Sequence, residues 1–226
     1  MANQKTLLPA GRMMVIAALA GALAGAVAVY VSTTLSGNTA GSEIVAVSDP
    51  SADSVCEAKS LRAKTVADAA IGQVAAMLPA DPPQSLATLA FNATDGKPMT
   101  LAERGGKTVL LNLWATWCAP CRAEMPALNA LQKEMGGDSF EVVAVNVDTG
   151  DDVKPKKFLA ETGVDTLGYY RDNTLGLFNE LKTRGLALGL PVTLLIDGEG
   201  CLLAHMNGPA EWSGPDAKRL IEIARN

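Results

Sequence analysis

The sequence predicts an α/β fold: one mixed central sheet with helices on both faces. Two continuous apolar runs, TVLLNLW at 108–114 and FEVVAVNV at 140–147, have strand length and no polar alternation, which suits strands buried on both faces. A helical pattern from Cys121 to Met135 lies between them, so the three read as strand, right-handed crossover and parallel strand. Pro191–Ile196 is a further strand. The turn Asp197-Gly198-Glu199-Gly200 then sends Cys201–Met206 back beside it, which makes the sheet mixed.

Taken in chain order, residues 53–78 form an N-terminal helical extension. Val55, Leu61, Val66, Ala70, Val74 and Met77 recur at helical spacing, and Pro79, Pro82 and Pro83 stop it. Leu89–Ala93 and Met99–Leu101 are short strands on either side of the turn Thr94-Asp95-Gly96-Lys97. Gly136-Gly137 ends the Cys121 helix. Lys154–Glu161 and Leu175–Lys182 are helices, with a short strand near Leu167–Tyr170 between them. Pro215–Arg225 closes the chain as a helix with Leu220, Ile221 and Ala224 on one face. Lys154, Lys156 and Lys157 read as a solvated helix start.

The chain has 226 residues, enough for one domain with an appendage. With 48% hydrophobic and 19% charged residues it is not a disordered chain. Its net charge of −5 argues against a protein that neutralises nucleic-acid phosphates. The charge is uneven. The first 35 residues take two of the 19 basic residues and none of the 24 acidic ones, so the remainder carries −7.

Residues 13–31 hold no charge. As a helix they would extend roughly 28 Å, against a bilayer core of about 30 Å. Lys5 and Arg12 precede the run, and the next basic residue is Lys59. The positive-inside rule then gives a cytoplasmic N-terminus at 1–12, a transmembrane anchor at 13–35 and a body on the far side. The run is longer than the apolar stretch of a cleaved leader and lacks a strong cleavage site, so an uncleaved signal-anchor is expected. Residues 36–52, small and polar, read as a linker to a domain at 53–226.

Four cysteines are present, at 56, 118, 121 and 201. Cys118-Ala119-Pro120-Cys121 falls where the TVLLNLW strand gives way to the next helix, beside the positive end of its dipole. There a thiol's ordinary pKa of ~8.5 can drop to roughly 3.5–7.5. The spacing suits a reversible disulfide with an exposed attacking sulfur and a more enclosed second one. Half a zinc site has the same spacing, but only Cys56, Cys201 and His205 remain as further ligands, so no metal is expected. His205 is the sole histidine and reads as packed or surface. In an oxidising compartment the leftover Cys56 and Cys201 usually pair; two free core thiols are the alternative. A loop of 145 residues closed this way would gain roughly 5 kcal/mol in the entropic description.

The segment WATWCAPCRAEMP at 114–126 resembles the active-site segment of the thioredoxin superfamily, in particular its membrane-tethered TlpA/ResA/CcmG branch. The resemblance covers about Gln84 to Asn226 and includes Gly189-Leu190-Pro191 before a strand and a central insertion between Asp148 and Gly189. The long first helix and the extra pair Cys56/Cys201 are most similar to the TlpA group of thiol:disulfide interchange proteins. The resemblance implies a thioredoxin-like fold, with Cys118 as nucleophile, Cys121 as resolving thiol and Pro191 as the family's cis-proline, exposing backbone to a substrate. Trp117 and Pro120 would shape the groove, Trp114 being groove or core. Glu124 aligns with an acid that influences thiol protonation; a solvated first-turn carboxylate is the plainer alternative. Thioredoxin keeps a buried Asp six residues before its first cysteine, where this chain has Asn112, which cannot accept a proton. That shifts the weight to Glu124 or water.

The function so implied is a membrane-anchored protein-disulfide reductase that needs no cofactor. It would work as a monomer from the bacterial inner membrane, with its catalytic domain in the periplasm. Its substrates would be protein disulfides in cytochrome c maturation or copper-site assembly, and a membrane thiol conduit of the CcdA/DsbD type would supply electrons. A disulfide oxidase or isomerase of the same fold is the alternative, decided by reduction potential. A copper metallochaperone using both thiolates would need a better-placed histidine than His205. A peroxiredoxin-type peroxidase is disfavoured by Ala115 and Asn112 at its signature positions.

Overall fold

The computed structural model describes residues 50–226. The expected N-terminus at 1–12, the anchor at 13–35 and the linker up to residue 49 lie outside the described residues; residues 50–52, expected to close the linker, belong instead to the first helix, Pro50–Glu57. Among the described residues no helix is long and apolar enough to cross a membrane.

Helices α1 (Pro50–Glu57) and α2 (Ser60–Asp68) open the structure, followed by a short 3-10 turn at Gly72–Val74. The strands are β1 (Leu78–Pro79), β2 (Ala90–Asn92), β3 (Pro98–Thr100), β4 (Thr108–Trp114), β5 (Phe140–Asn146), β6 (Tyr170–Arg171), β7 (Val192–Ile196) and β8 (Leu202–Asn207). Helix α3 (Ala119–Met135) joins β4 to β5. Helices α4 (Val153–Glu161) and α5 (Gly176–Thr183) flank β6 in the insertion, and α6 (Pro215–Arg225) ends the chain. All eight strands form one sheet in the order β1-β8-β7-β4-β5-β6-β2-β3.

The two apolar runs become the centre of that sheet. β4 pairs parallel with β5 from Thr108↔Phe140 to Trp114↔Asn146, and antiparallel with β7 from Val109↔Ile196 to Leu113↔Val192. All seven residues of β4 are buried. Successive side chains of a strand point to opposite faces, so both faces of the sheet are covered here. Leu110, Leu111 and Leu113 are wholly inaccessible, and truncating any of them to alanine would cost about 2–5 kcal/mol. Strand β7 turns through Asp197–Gly200 into β8, its antiparallel neighbour.

The N-terminal region departs from the single helix expected over 53–78. It breaks into α1 and α2; of the expected stripe Val66, Val74 and Met77 are buried, while Cys56 and Ala63 turn inward in place of Val55 and Leu61. Val55 and Leu61 are exposed at 52% and 78%. Two attachments fix which face turns inward. Cys56 is disulfide-bonded to Cys201, their Cα atoms 5.3 Å apart. One turn later, Lys59 Nζ donates to Asp197 Oδ2 at 2.6 Å, and Asp197 Oδ1 accepts from the amides of Glu199 and Cys201. Ala63, with almost no side chain, lets α2 lie close on β8. The helix ends at Asp68, well before the prolines; beyond it Gly72 takes the left-handed conformation (φ +57°), and a Cβ there would overlap the Asp216 carboxylate. Of the prolines meant to stop a helix, Pro79 instead ends edge strand β1, and Pro82 and Pro83 follow it.

Replacing both Cys56 and Cys201 with serine should lower unfolding free energy by about 2–5 kcal/mol in denaturant titration while leaving the Cys118/Cys121 potential unchanged. Equal stability of the double variant and the parent would mean the bond contributes nothing.

Candidate active site

Strand β4 delivers its C-terminal end to the cysteine loop, and Asp148 fixes the shape of that loop. The Asp148 carboxylate, 7% exposed, accepts from the Thr116 amide (3.0 and 3.3 Å), the Thr116 hydroxyl (3.0 Å) and Asn146 Nδ2 (2.8 Å). Val147 N–H donates to the Trp114 carbonyl at 2.9 Å. Trp114 itself is core, 1% exposed and tilted against Phe158. From this clamp the chain enters α3 with Cys118 as N-cap and Pro120 in the first turn, where a missing N–H costs nothing.

Cys118 and Cys121 are joined by a disulfide across a Cα separation of 5.3 Å. The Cys121 amide also donates to Cys118 Sγ at 3.3 Å, so the free N–H groups of the helix start face the first sulfur. Cys118 is the more accessible of the two, but at 6% against 0% it is far from an exposed thiol. The exposed group is its neighbour Trp117, at 68%. Trp117 lines a cavity of about 770 Å³ together with Thr116, Arg122, Lys154 and Phe158. Lys154 therefore belongs to the site's surroundings, while Lys156 and Lys157 pair with Asp152 and Glu161 on the solvated face expected of them.

Pro191 follows a cis peptide bond at Leu190 and is buried, one residue before Val192, which lies opposite Leu113. That register sets Pro191 at the end of β4 from which the cysteine loop departs. Its carbonyl accepts from Gly208 N–H at 2.8 Å. Pro120 is exposed.

Glu124 is no solvated carboxylate. It sits one turn beyond Cys121 on the inner side of α3 and is 4% exposed. Its Oε1 accepts from Asn112 Nδ2 at 2.9 Å; its Oε2 accepts from the Ala210 amide at 3.2 Å and Trp212 Nε1 at 3.1 Å. Asn112 Nδ2 also donates to the Thr193 hydroxyl at 3.0 Å. Burial pushes the Glu124 carboxyl up to about 7, and the three donors oppose the rise without cancelling it. A group poised near neutrality, beneath a cysteine pair, can take and return a proton.

Nothing in the sequence pointed to Asp148, Ala210, Thr193 or Trp212. Trp212 and Ala210 come from a loop 86 to 88 positions away from Glu124, where spacing carries no signal. His205 lies in β8 between Leu78 and Leu194, separated from β4 by β7, and burial pushes its pKa down. Cys56 and Cys201 belong to the opposite end of the sheet.

Residues 82–221 match the family described as Redoxin. The thiol:disulfide interchange protein HelX of Rhodobacter capsulatus is 41% identical over 116 residues, which are 50% of this chain and 59% of that protein. The thiol-disulfide oxidoreductase ResA of Bacillus thuringiensis subsp. konkukian is 32% identical over 126 residues, 52% of this chain and 66% of that protein. The chain thus spans less than two thirds of the length of these curated relatives. Among solved structures, a thiol:disulfide interchange protein of the thioredoxin family from Chlorobium tepidum superposes with a TM-score of 0.53 at 26% identity, covering 64% of this chain and 97% of that one.

The raised carboxyl has a stability consequence. Between about pH 4.5 and 7 the folded protein keeps a proton on Glu124 that the unfolded chain has released, so stability falls as pH rises through that window and levels off above it. The loss should reach about 3 kcal/mol. Denaturation of wild type and Glu124→Gln at pH 5 and pH 8 should show a flatter pH dependence in the variant by that amount; parallel curves would contradict the burial argument.

Proposed function

The chain belongs to the redoxin family within the thioredoxin superfamily, and from that premise we propose that it is a protein-disulfide reductase working by dithiol–disulfide exchange. The observation that carries the reading is the stacking of three groups on one helix: Cys118 at its N-terminus, Cys121 one turn in, and buried Glu124 one turn further. In the reduced protein, Cys118 thiolate attacks one sulfur of a client disulfide. The client's S–S bond breaks, a mixed disulfide forms, and the departing client sulfur takes a proton. Cys121 then gives its proton to Glu124 and attacks Cys118 Sγ, releasing the second client sulfur as a thiol. Two electrons pass to the client, and the chain is left with the Cys118–Cys121 bond seen here.

Trp117, exposed beside Cys118, and the chain at Leu190-Pro191, at the same end of the sheet, supply a place for the client to lie. Residues 13–35 anchor the protein in a bacterial inner membrane, with the domain in the periplasm; the uncharged run and its basic flank support this. Because that compartment is oxidising, a membrane thiol conduit of the CcdA/DsbD kind must return electrons. The clients proposed are cysteine pairs of cytochrome c or of copper-site assembly proteins, and tethering raises the effective concentration at membrane clients.

Cys118→Ser should abolish reduction of a protein disulfide, and Cys121→Ser should accumulate covalent complexes that dithiothreitol releases. Absence of any complex would remove Cys121 from the resolving role. The potential of the Cys118/Cys121 couple should lie below about −180 mV; a more oxidising value would turn the assignment to an oxidase.

A further inference from the structure

Trp212 lies in the loop between β8 and α6, residues 208–214, and is completely buried. The loop is fastened at both ends. Gly208 takes φ +104° and donates to the Pro191 carbonyl at 2.8 Å; Glu211 Oε1 accepts from the amide and hydroxyl of Ser213 at 3.1 and 2.5 Å. Its two inward donors, Ala210 N–H and Trp212 Nε1–H, both end on the same oxygen of Glu124. A carboxylate offers about four acceptor positions. Oε2 therefore has both filled, while Oε1 has one filled by Asn112 and one open.

We infer that Trp212 is a positioning residue: by saturating Oε2 together with Ala210, it makes Oε1 the oxygen of Glu124 that takes the proton and sets the pH at which it does so. This rests on the reading of Glu124 as proton acceptor for Cys121. A second atom agrees with Oε1 as the port. Asn112 Oδ1 is buried and has no hydrogen-bond partner among the described residues. A half-turn of that amide, which keeps its volume, would exchange Nδ2 for Oδ1 and give a protonated Oε1 an acceptor. Thr193, whose hydroxyl can donate as well as accept, would serve the turned amide equally. The Trp212 indole has no such second role. It can only donate, so it favours the charged carboxylate alone.

The test titrates the full-length reduced protein with ¹³C-labelled glutamate and follows the Glu124 carboxyl by NMR, beside the pH profile of disulfide exchange. Trp212→Phe keeps an aromatic ring and removes the N–H. It should raise the Glu124 midpoint by about one unit, a tenfold rise in proton affinity, and carry the acid limb of the exchange profile up with it, with KM unchanged. An unmoved Glu124 midpoint overturns the inference, whatever the activity does. A moved midpoint with an unmoved profile supports the role of Trp212 and overturns Glu124 as the proton acceptor. Should the variant fail to fold, the wild-type indole ¹H–¹⁵N signal gives the same answer. It should shift with the same midpoint as Glu124, and a signal constant across the titration overturns the inference.

Discussion

Thr108–Trp114 is hydrogen-bonded along both edges and has all seven side chains out of water. A strand in that position has no freedom left. Its register against Phe140–Asn146 fixes where Asp148 emerges, and Asp148 in turn holds Thr116 and shapes the turn into α3. Its register against Val192–Ile196 brings Pro191 to the same end. The cysteine pair therefore stands on two chain crossings that the core dictates, and its geometry is as stiff as the packing beneath it.

The same strand carries the one polar side chain that decides the chemistry. An aspartate at position 112 would put two carboxylates in one dry pocket, and each would raise the other's proton affinity. Asn112 donates instead, so a single charge is shared among three neutral donors. Neutral donors soften the penalty of burial without abolishing it, which is why Glu124 settles near neutrality rather than in the ordinary carboxylate range.

Central strands, the main helices and the cysteine pair were legible because each is a local signal. Unbroken apolar runs mean strands wet on neither face, and C-x-x-C at a strand-to-helix junction means two sulfurs at a helix start. The first helix was not legible. Its inward face is chosen by a partner cysteine 145 positions away and by the ion pair Lys59–Asp197, so small Ala63 turns inward and bulky Leu61 outward, against the hydrophobic pattern. Past its end, Gly72 leaves room for the Asp216 carboxylate, another long-range event. At the site, Asn112 and Glu124 could be named from the segment around the cysteines. Trp212 could not, because an indole that completes a distant carboxylate leaves no periodicity behind.

The two disulfides occupy opposite ends of the sheet. β7 begins at the cysteine-loop end of the sheet and ends at the turn before Cys201, one five-residue strand length or about 17 Å away. Cys56 and Cys201 are also sealed, at 1% and 0% exposure. Under the exchange reaction proposed above, such a molecule runs a standing hazard of shuffling its own sulfur bonds. Distance and burial together deny Cys118, or a visiting thiolate, any line of approach to the second bond. The tether can then survive each turnover intact, whatever passes through the other end.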